Sequence, residues 1–244
     1  MDFARNTVKL FLRAFVGAFL LASLFPLAAF AQTWVVWSET TTGEVHRILP
    51  NGTGEETLAT GLSSPRGVAA DNTNEKIYWI DATAGGRIRR MDPNGSNPAT
   101  IISGIGTVSH LAINPSGDKL YWSTGTGGTI QQCDLDGSNP STLVTGYTRT
   151  RGLAVDTATG RVFFVAYTAA TPNLQVDLIR VDSDGTNVTV LDSQLLSDPG
   201  GSLDPGLDGV TLDETEQKLY LTTISPGTET IEKRNLNGTV NSGF

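Results

Sequence analysis

Lys76-Ile77-Tyr78-Trp79-Ile80-Asp81 has echoes along almost the whole chain. Trp34-Val35-Val36-Trp37 precedes it, and Tyr121-Trp122, Phe163-Phe164 and Tyr220-Leu221 follow. With the second position of each pair as the marker, Trp37, Trp79, Trp122, Phe164 and Leu221 are 42, 43, 42 and 57 residues apart. A second anchor is a short apolar stretch ending in Asp or Asn: Gly67 to Asp71, His110 to Asn114, Gly152 to Asp156 and Gly209 to Asp213. Each begins 12 residues before the next marker. A third is a turn glycine at Gly52, Gly95, Gly137, Gly185 and Gly238. A period near forty built from strand-forming residues predicts an all-β fold, a β-propeller.

Each repeat reads as a four-stranded antiparallel sheet. The Gly-Val-Ala-Ala-Asp type is strand one, the aromatic pair sits in strand two, and Arg87 to Met91 typifies strand three, alternating polar and apolar. The Asn-Gly or Asp-Gly step supplies the positive φ of a tight turn, and stretches such as Ala99 to Ile102 form strand four. On these residues the chain resembles the low-density lipoprotein receptor class B, or YWTD, repeat. Tyr78-Trp79-Ile80-Asp81 matches its tetrapeptide apart from Ile80, and Cys133 to Gly137 and Gly152 to Asp156 match its other anchors. The likeness spans roughly residues 33 to 244. It implies the blades of a six-bladed propeller, with Trp37, Tyr78, Trp79, Tyr121, Trp122, Phe163, Phe164 and Tyr220 as packing aromatics between sheets.

Departures from the pattern matter. Only the Tyr78 repeat keeps Asp at the fourth position; elsewhere it is Glu39, Thr124, Ala166 and Thr223. Five repeats are visible, roughly 33–64, 65–107, 108–149, 150–206 and 207–244, where six are expected of the family. A longer native product continuing past Phe244, a five-bladed ring and completion by another chain are the three explanations, and the first is the expectation.

Residues 1–31 read as a signal peptide rather than as fold. Arg5, Lys9 and Arg13 precede an uncharged apolar run that ends in Ala29-Phe30-Ala31. The rival reading, an uncleaved anchor, is disfavoured by the run's length and by Pro26. Cleavage leaves one propeller domain, 32–244, secreted to the extracellular space or the periplasm. Of 17 basic and 25 acidic residues it removes three and one, so the mature charge is −10 rather than −8. Such a surface argues against nucleic acid. The single Cys133 forms no internal disulfide and matches no zinc spacing.

The spacing also locates a candidate site. Phe164 to Gly185 is 21 residues where its counterparts are 15 to 17, and Gly185 to Gly209 is 24 where the others are 15. The surplus falls near 167–176 and 193–207, read as two enlarged loops on one face. They serve recognition, or they are solvated growth. The same face should carry Arg66, Ser109, Arg151 and Asp208 at the starts of the innermost strands, with His110 replacing a glycine. The two arginines would either hold a carboxylate-bearing ligand or pair with Asp208 and seal the ring. No cofactor, catalytic residue or metal-ligand set is expected. Asp134-Leu-Asp136-Gly137 and Asp182-Ser-Asp184-Gly185 lack the spacing of a calcium loop, although a structural calcium near Asp204, Asp208, Asp213, Glu214 and Glu216 stays open. Asn51, Asn94, Asn187 and Asn237 head Asn-x-Ser/Thr sites, three of them turn sequences. The reading is therefore an exported, non-catalytic binding or scaffold propeller for a protein or extracellular polymer. The alternative is a six-bladed enzyme of the metal-dependent lactonase or hydrolase type.

Overall fold

The computed structural model describes residues 34–82, 85–125, 127–169, 174–196, 206–225 and 228–239. The expected signal peptide lies outside them. Within them the chain makes five successive antiparallel sheets, each a meander. Blade 1 is β1 (Val35–Glu39), β2 (Glu44–Ile48) and β3 (Glu56–Ala59). Blade 2 is β4 (Pro65–Asp71), β5 (Lys76–Asp81), β6 (Arg87–Met91) and β7 (Ala99–Ser103). Blade 3 is β8 (Val108–Asn114), β9 (Lys119–Thr124), β10 (Ile130–Asp134) and β11 (Ser141–Val144). Blade 4 is β12 (Arg149–Val155), β13 (Val162–Ala169), β14 (Leu174–Val181) and β15 (Thr189–Leu196). Blade 5 is β16 (Gly206–Asp213), β17 (Lys218–Ser225) and β18 (Thr228–Asn235). The first strands β4, β8, β12 and β16 lie side by side in sequence order, and β1 lies beside β4.

The aromatic pair explains how blades stack. Successive strand residues point to opposite faces, so each pair serves two seams at once. Tyr78 packs toward blade 3 with Leu111, Leu120 and Trp122, whereas Trp79 packs toward blade 1 with Val45 and Val36. Tyr121 faces blade 4, beside Phe164 and Ile179. Phe163 faces blade 5, beside Leu219 and Leu221. Six of these aromatics, from Tyr78 to Phe164, are essentially fully buried. Apolar burial between neighbouring sheets is thus the core, and it is divided into seams rather than gathered in one centre.

The turn glycines carry a second repeating constraint. Gly95, Gly137, Gly185 and Gly238 all have positive φ. A Cβ at Gly137 would stand 2.4 Å from the Ile101 carbonyl oxygen of the preceding blade, and one at Gly95 would stand 2.7 Å from that of Leu58. The residue is needed for turn geometry and for the close approach of one blade to the next. Gly52 in blade 1 has the same φ sign and open space around it among the described residues.

One expectation is corrected. The surplus near 167–176 is not a loop: Tyr167, Thr168 and Ala169 pair with Val176, Gln175 and Leu174 and continue the β13–β14 ladder. Six extra residues split evenly between two strands prolong a hairpin without breaking its register. The second surplus, near 193–207, is strand as far as Leu196 and again from Gly206; 197–205 lie outside the described residues.

Candidate functional site

Each first strand carries a bulge near its start, between Arg66 and Val68, Val108 and His110, Arg151 and Leu153, and Leu207 and Gly209. The skipped residues are Gly67, Ser109, Gly152 and Asp208. A bulge twists the strand and re-aims neighbouring side chains, which is why bulges recur beside binding sites. Where no glycine is skipped, a hydroxyl from strand two repairs the ladder: His110 N donates to Ser123 Oγ at 3.2 Å, and Gly209 N to Thr222 Oγ1 at 2.8 Å.

These strand starts converge on a cavity of about 750 Å³. Arg66, Ser109, His110 and Arg151 all line it, together with Arg149 and the β1 end at Ser38 and Thr40. Four of the five residues expected at this site are therefore brought together. The fifth, Asp208, has its backbone in β16, and its side chain lies outside the description. A neighbouring cavity of about 410 Å³ shares Arg66 and Thr107 with the first.

The rim is held rigidly. Buried Thr150 sits between the two arginines of β12 and donates through Oγ1 to the carbonyls of Thr124 (2.9 Å) and Thr129 (3.0 Å) in blade 3. Thr40 Oγ1 donates to the Pro65 carbonyl at 2.9 Å, tying blade 1 to the start of β4. Arg149 and Arg151 lean on one ring, that of buried Tyr167, with guanidinium carbons 5.8 and 5.7 Å from its centroid. Such cation–π contacts restrain the side chains, and both arginines take part in further interactions in the structure. Tyr167 belongs to the prolonged part of β13, so the hairpin extension is what reaches the arginines. Arg149 was not among the expected residues. Its signal was the period of two: it precedes Arg151 by two residues on one strand and shares its face.

The described lining holds three arginines and one histidine, and neither a carboxylate nor an amide side chain is among it. The volume lies within the ~300–1,000 Å³ of small-ligand sites. Guanidinium groups converging on a concave mouth suit a planar anion, a carboxylate above all, through paired hydrogen bonds.

The acidic turns find ordinary employment. The Asp134 carboxylate accepts from Lys119, Asn139 and Ser138, and these bonds, Lys119 foremost, hold its pKa below the usual carboxylate value. Asp184 accepts from Thr186, which lowers its pKa likewise. Of the acidic group in blade 5, Asp213 accepts from two backbone amides at 2.9 Å, Glu214 from Thr157 N at 2.6 Å, and Glu216 pairs with Lys233 at 2.5 Å. Cys133 is buried in β10, and desolvation pushes its thiol up to about 12, so it stays protonated and unreactive.

No family model matches the sequence, and no curated protein matches it. Solved structures do. A chain of the nidogen/laminin complex aligns at TM-score 0.64 and 21% identity, over 81% of this chain and 77% of its own. A TolB from Agrobacterium tumefaciens, described as putative, aligns at 0.64 and 14%, over 84% and 74%. TolB from Acinetobacter baumannii aligns at 0.59 and 17%, over 85% and 51%. The fold is a β-propeller. At these identities the likeness speaks to the fold alone, and function has to be argued from the site.

Proposed function

We propose that this chain is an exported binding propeller whose cavity at the starts of the first strands captures a carboxylate-bearing segment of a protein or an extracellular polymer. The observation that carries it is the convergence of Arg66, Arg149 and Arg151 on one cavity of about 750 Å³. The net charge of the chain is −8, so three arginines at one mouth set this hollow apart from the acidic surface around it and favour an anion there. The prolonged β13–β14 hairpin supplies Tyr167 as a platform and widens this face on the side of blade 4. That one similar structure is a complex between two proteins supports a macromolecular ligand. The apolar run at residues 14–30 and the small-x-small step at Ala31 support export, and no described helix is long and apolar enough to cross a membrane. The hydrolase alternative asks for acidic and amide donors at this mouth, and the described lining offers guanidinium groups instead.

The test is fluorescence anisotropy with labelled poly-glutamate and with labelled alginate. Wild type binds at least one of these probes, more weakly as salt rises. Arg66→Ala with Arg151→Ala weakens that binding about 10-fold or more while the far-ultraviolet spectrum is retained. Binding unchanged in the double variant, or no binding of any acidic polymer by wild type, would sink the reading.

A further inference from the structure

Blade 1 carries a second constellation, on the β1–β2 hairpin. The register sets Trp37 opposite His46 and Glu39 opposite Glu44, and the period of two puts all four on one sheet face. That face is turned away from blade 2, because Val36 and Val45, the alternate residues, pack with Ile77 and Trp79. Like charges directly across a ladder are destabilising, so a Glu39–Glu44 pair calls for positive charge between its members.

The residue aimed between them is His46. It is 7% exposed, and its Nε2 has no hydrogen-bond partner. Nε2 lies 3.3 Å from Glu44 Oε2 and 3.8 Å from Glu39 Oε2, and the three donor atoms lie within 4.8 Å of one another. The other ring nitrogen, Nδ1, is 3.2 Å from Thr57 Oγ1, and the Trp37 indole stacks on the imidazole at 5.1 Å. When Nδ1 donates to Thr57, the Nε2 lone pair points at two carboxylates. A hydroxyl on one nitrogen, an aromatic wall and a bare second nitrogen are the setting in which imidazole serves as a metal ligand.

The geometry points to a binding site for a first-row divalent transition ion held by His46 Nε2, Glu39 and Glu44. Ligand distances of ~2.1 Å make a tetrahedral edge of about 3.4 Å, against which the two histidine–carboxylate spacings are 3.3 and 3.8 Å. Glu39 is half exposed, so it closes the set by rotating and gives the ion a way in. A doubly charged cation neutralises the two carboxylates, where an imidazolium leaves one charge over. One nitrogen and two carboxylates suit Zn²⁺ or Co²⁺ better than Ca²⁺, which wants six or more oxygens. The fourth position is open to water or to a partner's side chain.

The probe is ZnCl₂ alone, titrated calorimetrically into the metal-stripped full chain without a polyhistidine tag, with the visible spectrum of added Co²⁺ as a second reading. One ion binds per chain, and Co²⁺ develops tetrahedral absorption. His46→Gln and Glu44→Gln each weaken binding about 100-fold or more, Thr57→Ala about 10-fold, and Glu56→Gln, an exposed acid paired with Arg47, leaves it unchanged. Should His46→Gln fail to fold, Glu44→Gln and the Co²⁺ spectrum decide. Absence of stoichiometric binding, or equal affinity in Glu44→Gln, overturns the site.

Discussion

The second-strand hairpins of blades 1 and 2 share one frame and carry opposite charge. Trp37 corresponds to Trp79, Glu39 to Asp81, Glu44 to Arg87 and His46 to Arg89, cross-strand pair for cross-strand pair. In blade 2, fully buried Asp81 accepts from Arg87 Nε at 3.1 Å and Nη2 at 2.7 Å, and Arg89 stands 4.0 Å away over the Trp79 ring. That set carries its own counter-charge on the face packed against blade 1, with Asp81 Oδ1 and Arg89 Nε left without a hydrogen bond. In blade 1 the arginines are replaced by a carboxylate and an imidazole, and the same face is half open. What differs is where the counter-charge comes from: within the chain in blade 2, from outside it in blade 1. The repeat thus fixes geometry, and the residues left free to vary within it create a site.

The largest contrast lies in the tryptophans. Trp79→Ala empties a fully buried position and should cost ~3–5 kcal/mol. Trp37→Ala, at a half-buried position, should cost less than about 2 kcal/mol. Urea unfolding followed by circular dichroism reads both. Equal losses would mean that the two faces are packed alike, and the comparison breaks.

A smaller contrast of opposite sign concerns the partners of the acids. Arg87→Ala strands the Asp81 carboxylate in the seam and should destabilise by about 2 kcal/mol, below the value for a wholly buried pair because Arg87 is itself 36% exposed. Glu44→Gln in metal-free protein removes a like-charge neighbour and should stabilise by a few tenths to ~1 kcal/mol. Loss of stability in that variant would show that Glu44 and His46 already satisfy each other as an ion pair.

The marker aromatics were legible because burial on both faces of strand two demands large side chains at a fixed distance from strand one. Arg66, Ser109, His110 and Arg151 were legible for the same reason: a strand start recurs wherever its repeat does. What counting cannot separate is a longer loop from a longer hairpin, since six surplus residues fit either, and so the spacing predicts a loop at Tyr167 where the structure has a strand under two arginines. Glu39, Glu44 and His46 were invisible for a related reason. Their meeting depends on a turn that places Glu39 opposite Glu44, and the chain order Glu-x4-Glu-x-His names no known ligand spacing. Asp81 is the intact acidic position, and its contacts among the described residues are with arginines of its own blade rather than across the seam.

The smallest effect concerns a pair that blade 1 lacks altogether. Three residues before the marker, blades 2 to 5 place Lys76, Lys119, Arg161 and Lys218, which reach Asp92, Asp134, Asp182 and Asn235 at the turn. Blade 1 has Trp34 and Leu49 at those positions, and Trp34 instead lies under Arg47, 4.0 Å from its guanidinium carbon. Asp92 accepts from Lys76 Nζ at 2.6 Å, and this bond, with help from Asn97 and Ser96, holds its carboxyl at about 2. A folded pKa below the unfolded one, near 3.9, stabilises above the unfolded value and is lost as pH falls toward the folded value. Wild type should therefore lose this increment between about pH 4 and pH 2, and Lys76→Met should lose less over that interval while being less stable at pH 7. The group is solvent-exposed, so the increment is small and shrinks with salt. Parallel urea midpoints for the two proteins across that interval would place the acid sensitivity elsewhere, in the Asp134 turn, whose carboxyl is likewise held below the usual value.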